Sequence, residues 1–100
     1  MTLSHLFRLR DALDRMEVDL GLANLNDLDR RVIETLAFQA EEETGPLTIK
    51  YVLESPLLER YSRASVYRSL KVLETNNFIS VFQDETDARR SFVKLTHPTN

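Results

Sequence analysis

The sequence predicts a mainly α domain that closes on a small β-hairpin. Three observations lead there. Apolar residues recur at helical spacing from Leu6 to Leu73, the period switches to strand-like after Asn77, and 100 residues are one domain's worth of chain. With 42% hydrophobic and 29% charged residues, the composition is that of an ordinary globular domain.

Leu6, Leu9, Leu13, Met16 and Leu20 step by 3, 4, 3 and 4, the spacing of one narrow stripe on a first helix that Gly21 ends. Two and a half heptads are short for a free-standing coiled coil, so the stripe packs on its own domain or meets its copy in a second subunit. Asn26 caps a second helix, with Asp27 and Asp29 in its first turn, where the helix dipole favours acid. Leu28, Val32, Ile33, Leu36 and Ala40 form its buried face and Phe38 falls off it. Glu41, Glu42 and Glu43 read as a solvated acidic run, and Gly45 with Pro46 stops the helix.

Thr48 caps a short third helix carrying Ile49, Val52 and Leu53, broken before Pro56, and residues 55–61 connect onward. Ser62 caps a fourth, whose Val66, Leu70 and Leu73 point inward while Ala64, Arg68, Lys71 and Thr75 lie roughly opposite. This helix ends at Asn76 and Asn77, asparagine being tolerant of the left-handed cap. Phe78–Gln83 and Ser91–Thr96 read as strands joined by the polar turn Asp84–Arg90, and the last four residues as a frayed tail.

Charge is unevenly placed. Residues 1–10 carry +2, residues 11–59 carry −8 from 12 acids against 4 bases, and residues 60–96 carry +3, within a net charge of −3. Phosphate backbones respond to local potential, because screening confines the interaction to about 8–10 Å. The basic half is therefore the candidate contact face.

Several function classes drop out. No cysteine is present, and His5 and His97 stand at opposite ends with no acid, thiol or second histidine placed to work with either. No metal site, cofactor or catalytic pair is expected. No stretch approaches the roughly 18–20 apolar residues that span a bilayer, and Met1–Arg10 lacks a signal-peptide pattern, so the expected address is the cytoplasm.

Three helices and a hairpin, with cations on the last helix and the hairpin tip, are the parts of a winged helix-turn-helix spanning residues 22–96, preceded by the 1–21 helix and followed by the 97–100 tail. A helix entering a major groove needs short side chains at its N-terminal end and long donors beyond. Ser62, Ala64 and Ser65 are the short ones; Arg63, Arg68 and Lys71 are the donors. Tyr67 borders the buried stripe, and core packing and a phosphate contact both suit it. Arg60 and Lys94 read as peripheral phosphate neighbours or as solvated. A hairpin tip bearing Arg89 and Arg90 reaches sideways to the adjoining minor groove.

The run Ser62 to Leu70, with Leu73-Glu74, Phe78-Ile79, Asp87-Ala88-Arg89 and Val93-Lys94-Leu95-Thr96, resembles the MarR family of bacterial and archaeal transcription regulators. The likeness runs from about Leu25 to Thr96, and its most specific piece is the Asp-x-Arg tip at a fixed distance before the closing Leu-Thr. The resemblance implies that Arg89 enters the minor groove, that Asp87 orients it by an ion pair, and that Ser62 to Lys71 supply groove and phosphate contacts. Asn77 stands where the family usually has glycine. Family members usually continue into C-terminal dimerisation helices, whereas this sequence stops at Asn100, so the likeness is to a short form. The stripe at Leu6, Leu9, Leu13, Met16 and Leu20 is then the expected substitute for a homodimer interface.

The expected function is sequence-specific binding of double-stranded DNA and repression of transcription. The alternative is a winged-helix adaptor or antagonist that binds another protein and no DNA. Random-sequence duplex separates the two: a DNA binder associates weakly with steep salt dependence, an adaptor not at all.

Overall fold

The computed structural model describes residues 1–42 and 47–96. Glu43, the Gly45–Pro46 helix stop, His97 and the tail expected to fray lie outside them. Helix α1 (Leu3–Asp19) starts at Thr2, whose hydroxyl oxygen accepts the His5 N–H at 3.1 Å. It ends as Gly21 turns left-handed at φ 77°. The N–H groups of Gly21 and Leu22 then bond back to the carbonyls of Val18 and Glu17, satisfying the last turn and swinging Leu22 into the core.

Helix α2 (Asp27–Glu42) opens on a reciprocal cap. The Asp29 N–H donates to Asn26 Oδ1 at 2.7 Å, and the Asn26 N–H to the Asp29 carboxylate at 3.4 Å. Strand β1 (Leu47–Thr48) leads into α3 (Ile49–Leu53), where Thr48 caps the Tyr51 N–H. A single 3-10 turn, Pro56–Leu58, precedes α4 (Arg63–Thr75). The end of α4 repeats the α1 device with Asn77 at φ 65° in place of glycine, the N–H groups of Asn77 and Phe78 returning to Glu74 and Leu73.

Strands β2 (Ile79–Gln83) and β3 (Ser91–Leu95) form the expected hairpin. The sheet has a third strand that the sequence reading missed: β1 pairs with the free edge of β3, in the antiparallel order β1-β3-β2, with Leu47 opposite Val93 and Val93 opposite Val81. At the base of the hairpin, Thr96 donates its N–H to the Phe78 carbonyl and its hydroxyl to the Asn77 carbonyl, at 3.0 and 2.8 Å.

The core lies where α2, α3 and α4 meet the sheet. Val32 and Leu36, Val52, Leu58, Val66, Leu70 and Leu73, Ile79 and Val93 are all buried there, with Leu22 and Leu25 closing it from the α1–α2 connection. One expectation needs correction. Ala40, expected on the buried face of α2, is exposed: it borders an open groove beside Leu36, Leu47 and Val93, while its neighbour Gln39 turns inward to donate to Ser55 Oγ. Asp29 does lie in the first turn of α2, and it is buried there. It can be so because its carboxylate accepts the Ser69 hydroxyl from α4 at 2.6 Å as well as the Asn26 N–H. Of the α1 stripe, for which packing on its own domain and pairing with a copy were both open, no residue is buried among the described residues.

Replacing Ser69→Ala leaves the buried Asp29 carboxylate without its hydroxyl donor. The expected loss is about 1–3 kcal/mol, read as a lower urea midpoint at unchanged slope.

Candidate nucleic-acid interface

Helix α4 commits Val66, Ser69, Leu70 and Leu73 to the interior, so Arg63, Ala64, Tyr67, Arg68 and Lys71 face outward and are exposed. Its N-terminus is organised by the serines. Ser62 Oγ accepts the Ser65 N–H at 3.1 Å and donates to Ser65 Oγ at 2.9 Å, and the Arg68 guanidinium donates to Ser65 Oγ at 3.3 Å. The Lys71 ammonium lies over the Tyr67 ring, 5.6 Å from its centroid, a cation–π contact that draws both side chains along the same exposed face. Tyr67 is therefore a surface residue.

The wing tip between β2 and β3 is held by its own polar groups. The Asp84 N–H donates to the Arg90 carbonyl and the Arg90 N–H to the Asp87 carbonyl. Asp84 Oδ1 accepts both the N–H and the hydroxyl of Thr86, at 2.9 and 2.8 Å, and the Arg90 guanidinium lies 3.7 Å from its other oxygen. The Thr86 hydrogen bonds, ahead of the Arg90 charge, hold the Asp84 carboxyl below its ordinary value. Asp87 Oδ1 accepts the Arg89 N–H at 3.0 Å and its Nε at 3.3 Å, the ion pair implied by the resemblance. Arg89 is nevertheless 93% exposed along its side chain, so the pair aims the guanidinium without covering it.

An open groove of about 680 Å³ separates the wing from the helices. Thr48, Ile49, Lys50 and Leu53 line it from the start of α3, Arg63 and Tyr67 from α4, and Asp87, Arg89, Arg90 and Ser91 from the wing. Four cations and one carboxylate share one concavity in a chain of net charge −3. The groove thus unites Arg63, Tyr67, Asp87, Arg89 and Arg90 of the expected set. Arg68, Ala64, Lys71, Ser62 and Ser65 are not among its lining residues and lie further round or along α4.

Lys50 was missed, because a count along the chain places it inside the acidic segment; only folding β1 against β3 brings it to the wing. The other expected contact set, Leu6, Leu9, Leu13, Met16 and Leu20, is between 36% and 59% exposed. Arg30 ties α1 to α2, donating to Glu17 at 3.2 Å and Asp27 at 2.7 Å. The Asp27 hydrogen bond is the leading reason that the Arg30 guanidinium holds its proton more tightly than usual.

Helix α2, α3, α4 and the three-stranded wing make this a winged helix-turn-helix fold. Solved structures with the same fold include PefR without heme, at TM-score 0.60 and 23% identity over 92% of this chain and 76% of that one. PefR from Streptococcus agalactiae in complex with heme gives 0.59 and 23%, covering 92% and 58%. MepR from S. aureus in a DNA-binding conformation gives 0.60 and 21%, covering 96% and 67%. The chain therefore spans roughly three fifths to three quarters of these structures. PefR and MepR are winged-helix regulators of the MarR family, so the resemblance read from the wing and α4 is borne out in the fold. No protein-family model matches the sequence, and no curated protein is similar to it. Among the described residues no helix is long and apolar enough to cross a membrane, and no three acidic, histidine or cysteine side chains cluster to hold a metal.

The lowered Asp84 pKa carries a pH dependence with a definite sign. Its contribution to wing order is full above the ordinary carboxylate value of 3.8 and fades as pH falls below that through the depressed folded value. The Thr86 and Arg90 amide resonances should hold their positions at neutral pH and move only in this acid range, and Asp84→Asn should abolish the transition.

Proposed function

We propose that this chain is a sequence-specific double-stranded DNA-binding regulator of transcription, acting as a repressor by occupying a promoter and excluding polymerase. The observation that carries the reading is the shared groove, in which cations from α3, α4 and the wing converge although the chain as a whole is acidic. In this reading α4 enters the major groove. Ser62, Arg63, Ala64, Ser65, Tyr67, Arg68 and Lys71 then face bases and phosphates, and Lys50 flanks the backbone. The wing reaches the adjoining minor groove with Arg89, steered by Asp87, while Arg90 meets phosphate. The likeness to MepR in a DNA-binding conformation supports it.

Two copies joined through α1 would present two recognition helices to a two-fold-symmetric operator, and the site of action would be the cytoplasm. The division into an α1 segment of residues 1–21 and a DNA-binding domain of residues 22–96 belongs to the same reading.

Arg89→Ala should weaken binding to all duplexes alike and lower the salt slope by about 1. Arg68→Ala should cost about 1–3 kcal/mol on the preferred site and relax preference at one base pair, as expected for loss of a bidentate base contact. Fluorescence anisotropy over a salt series on selected and random duplexes checks both; unchanged affinity in the two variants overturns the assignment, and no association even in dilute buffer favours a protein-binding adaptor.

A further inference from the structure

The hydrogen-bonding chemistry of α4 is one-sided. From Ser62 to Leu73 the chain has no Asn, Gln, Asp or Glu, and the first carboxylate of the helix is Glu74, in its last turn. Adenine in a major groove is met by a side-chain amide, which donates and accepts together, and cytosine by a carboxylate that accepts from its amino group. Neither group is present on the first three turns of α4. The long side chains there are donors: Arg63, Arg68 and Lys71. Guanine alone presents two acceptors, O6 and N7, on its major-groove edge.

Two serines of the helix do not restore an acceptor. Ser69 is turned inward and donates to Asp29 at 2.6 Å. Ser65 Oγ accepts from Ser62 Oγ at 2.9 Å and from the Arg68 guanidinium at 3.3 Å, which fills the two lone pairs of a hydroxyl oxygen. Ser65 has only its hydrogen left to offer.

The donors are not equivalent. Lys71 lies over the Tyr67 ring, and Arg63 lines the groove shared with the wing. Arg68 stands on the exposed face with one N–H tied to Ser65, three residues back along the same face. A guanidinium carries five N–H groups in a planar fork, so one bond to Ser65 leaves a parallel pair free for a bidentate contact. Ser65 is itself held, because Ser62 Oγ accepts its N–H at 3.1 Å. Ordering a long side chain before the partner arrives removes part of the entropic cost of binding.

We propose that α4 reads guanine in the major groove, with Arg68 meeting O6 and N7 of the base and Ser65 acting as the positioning residue that holds its guanidinium. The inference rests on the DNA-binding reading above and adds to it which base is recognised and what sets the aim of the residue that recognises it.

The test uses the full chain and duplexes that it selects from a randomised pool. Each guanine of the selected site is replaced in turn by an analogue with carbon in place of N7, which pairs normally but lacks one acceptor. At one position the replacement should weaken binding on the order of tenfold. Arg68→Ala should erase that penalty. Ser65→Ala should reduce it on the order of threefold, the scale of one hydrogen bond, and Ser65→Thr, which keeps the hydroxyl, should retain it.

A serine with a merely structural role would lower affinity for natural and substituted duplex alike, so the ratio between the two is the readout. The full penalty in Ser65→Ala overturns the positioning role. A selected site in which no guanine is sensitive to the analogue, or a penalty that survives Arg68→Ala, overturns the base assignment while leaving DNA binding intact. No association with any duplex in dilute buffer overturns the functional reading and this inference with it.

Discussion

The rotation of α4 about its own axis is the constraint on which the rest of the molecule depends. Val66, Leu70 and Leu73 are buried almost completely, and turning the helix by even one residue's angle would bring one of them toward water, at about 1.5–3 kcal/mol for each full side chain exposed. Apolar burial alone is non-directional and would tolerate some slippage. The Ser69 hydroxyl donating to Asp29 adds direction, because a buried carboxylate that loses its donor is left with a desolvated charge. Asp29 is itself fixed at the start of α2 by its reciprocal cap with Asn26. The orientation of the outward face, and with it every cation on α4, is therefore set from the inside.

The wing solves a different problem. A two-stranded hairpin by itself is marginal in water, yet a guanidinium meant to reach beyond the body of the domain needs a stiff support. Pairing β1 to β3 supplies a third strand, and the contacts of Thr96 with the Asn77 and Phe78 carbonyls close the open end. At the tip, Asp84 and Asp87 accept from Thr86, Arg89 and Arg90, which orders the turn through polar contacts. The carboxylates lower the net positive charge of the tip, but they are less exposed than Arg89, whose side chain stays 93% open to solvent. Local geometry thus outweighs the sign of the overall charge at distances shorter than the screening length.

Much of this was legible in the residues. Helical periodicity located α1, α2 and α4, the caps at Thr48 and Ser62 were readable from residue type, and Asn77 at positive φ follows from the need to end α4 without glycine. The features that were not legible share a cause: each depends on a partner distant in sequence. A two-residue strand has no periodicity to detect, so β1 emerges only when β3 exists beside it. Asp29 reads as a first-turn acid until Ser69, forty positions later, arrives to bury it. Lys50 joins the groove only through the same β1–β3 pairing, and Ala40 fits an apolar pattern but borders an open groove beside the sheet. Local rules specify elements; non-local contacts decide which residue of an element is inside.

Helix α1 shows the same division from the other side. Its stripe has the regularity of a buried seam, yet among the described residues none buries it, because the Leu20–Asn26 turn sends Leu22 and Leu25 into the core and leaves the helix at the surface. The attachment through Arg30 is ionic, with the Arg30 and Glu17 side chains partly buried and Asp27 exposed, which holds a direction but adds only modest stability. Packing that stripe on another helix would remove apolar surface from water and make the attachment stiffer by immobilising both ends. Were two copies joined through α1, the distance between their α4 helices would depend on the Arg30 bridge to Glu17 and Asp27, and so on the junction of α1 and α2 as well as on α4 itself.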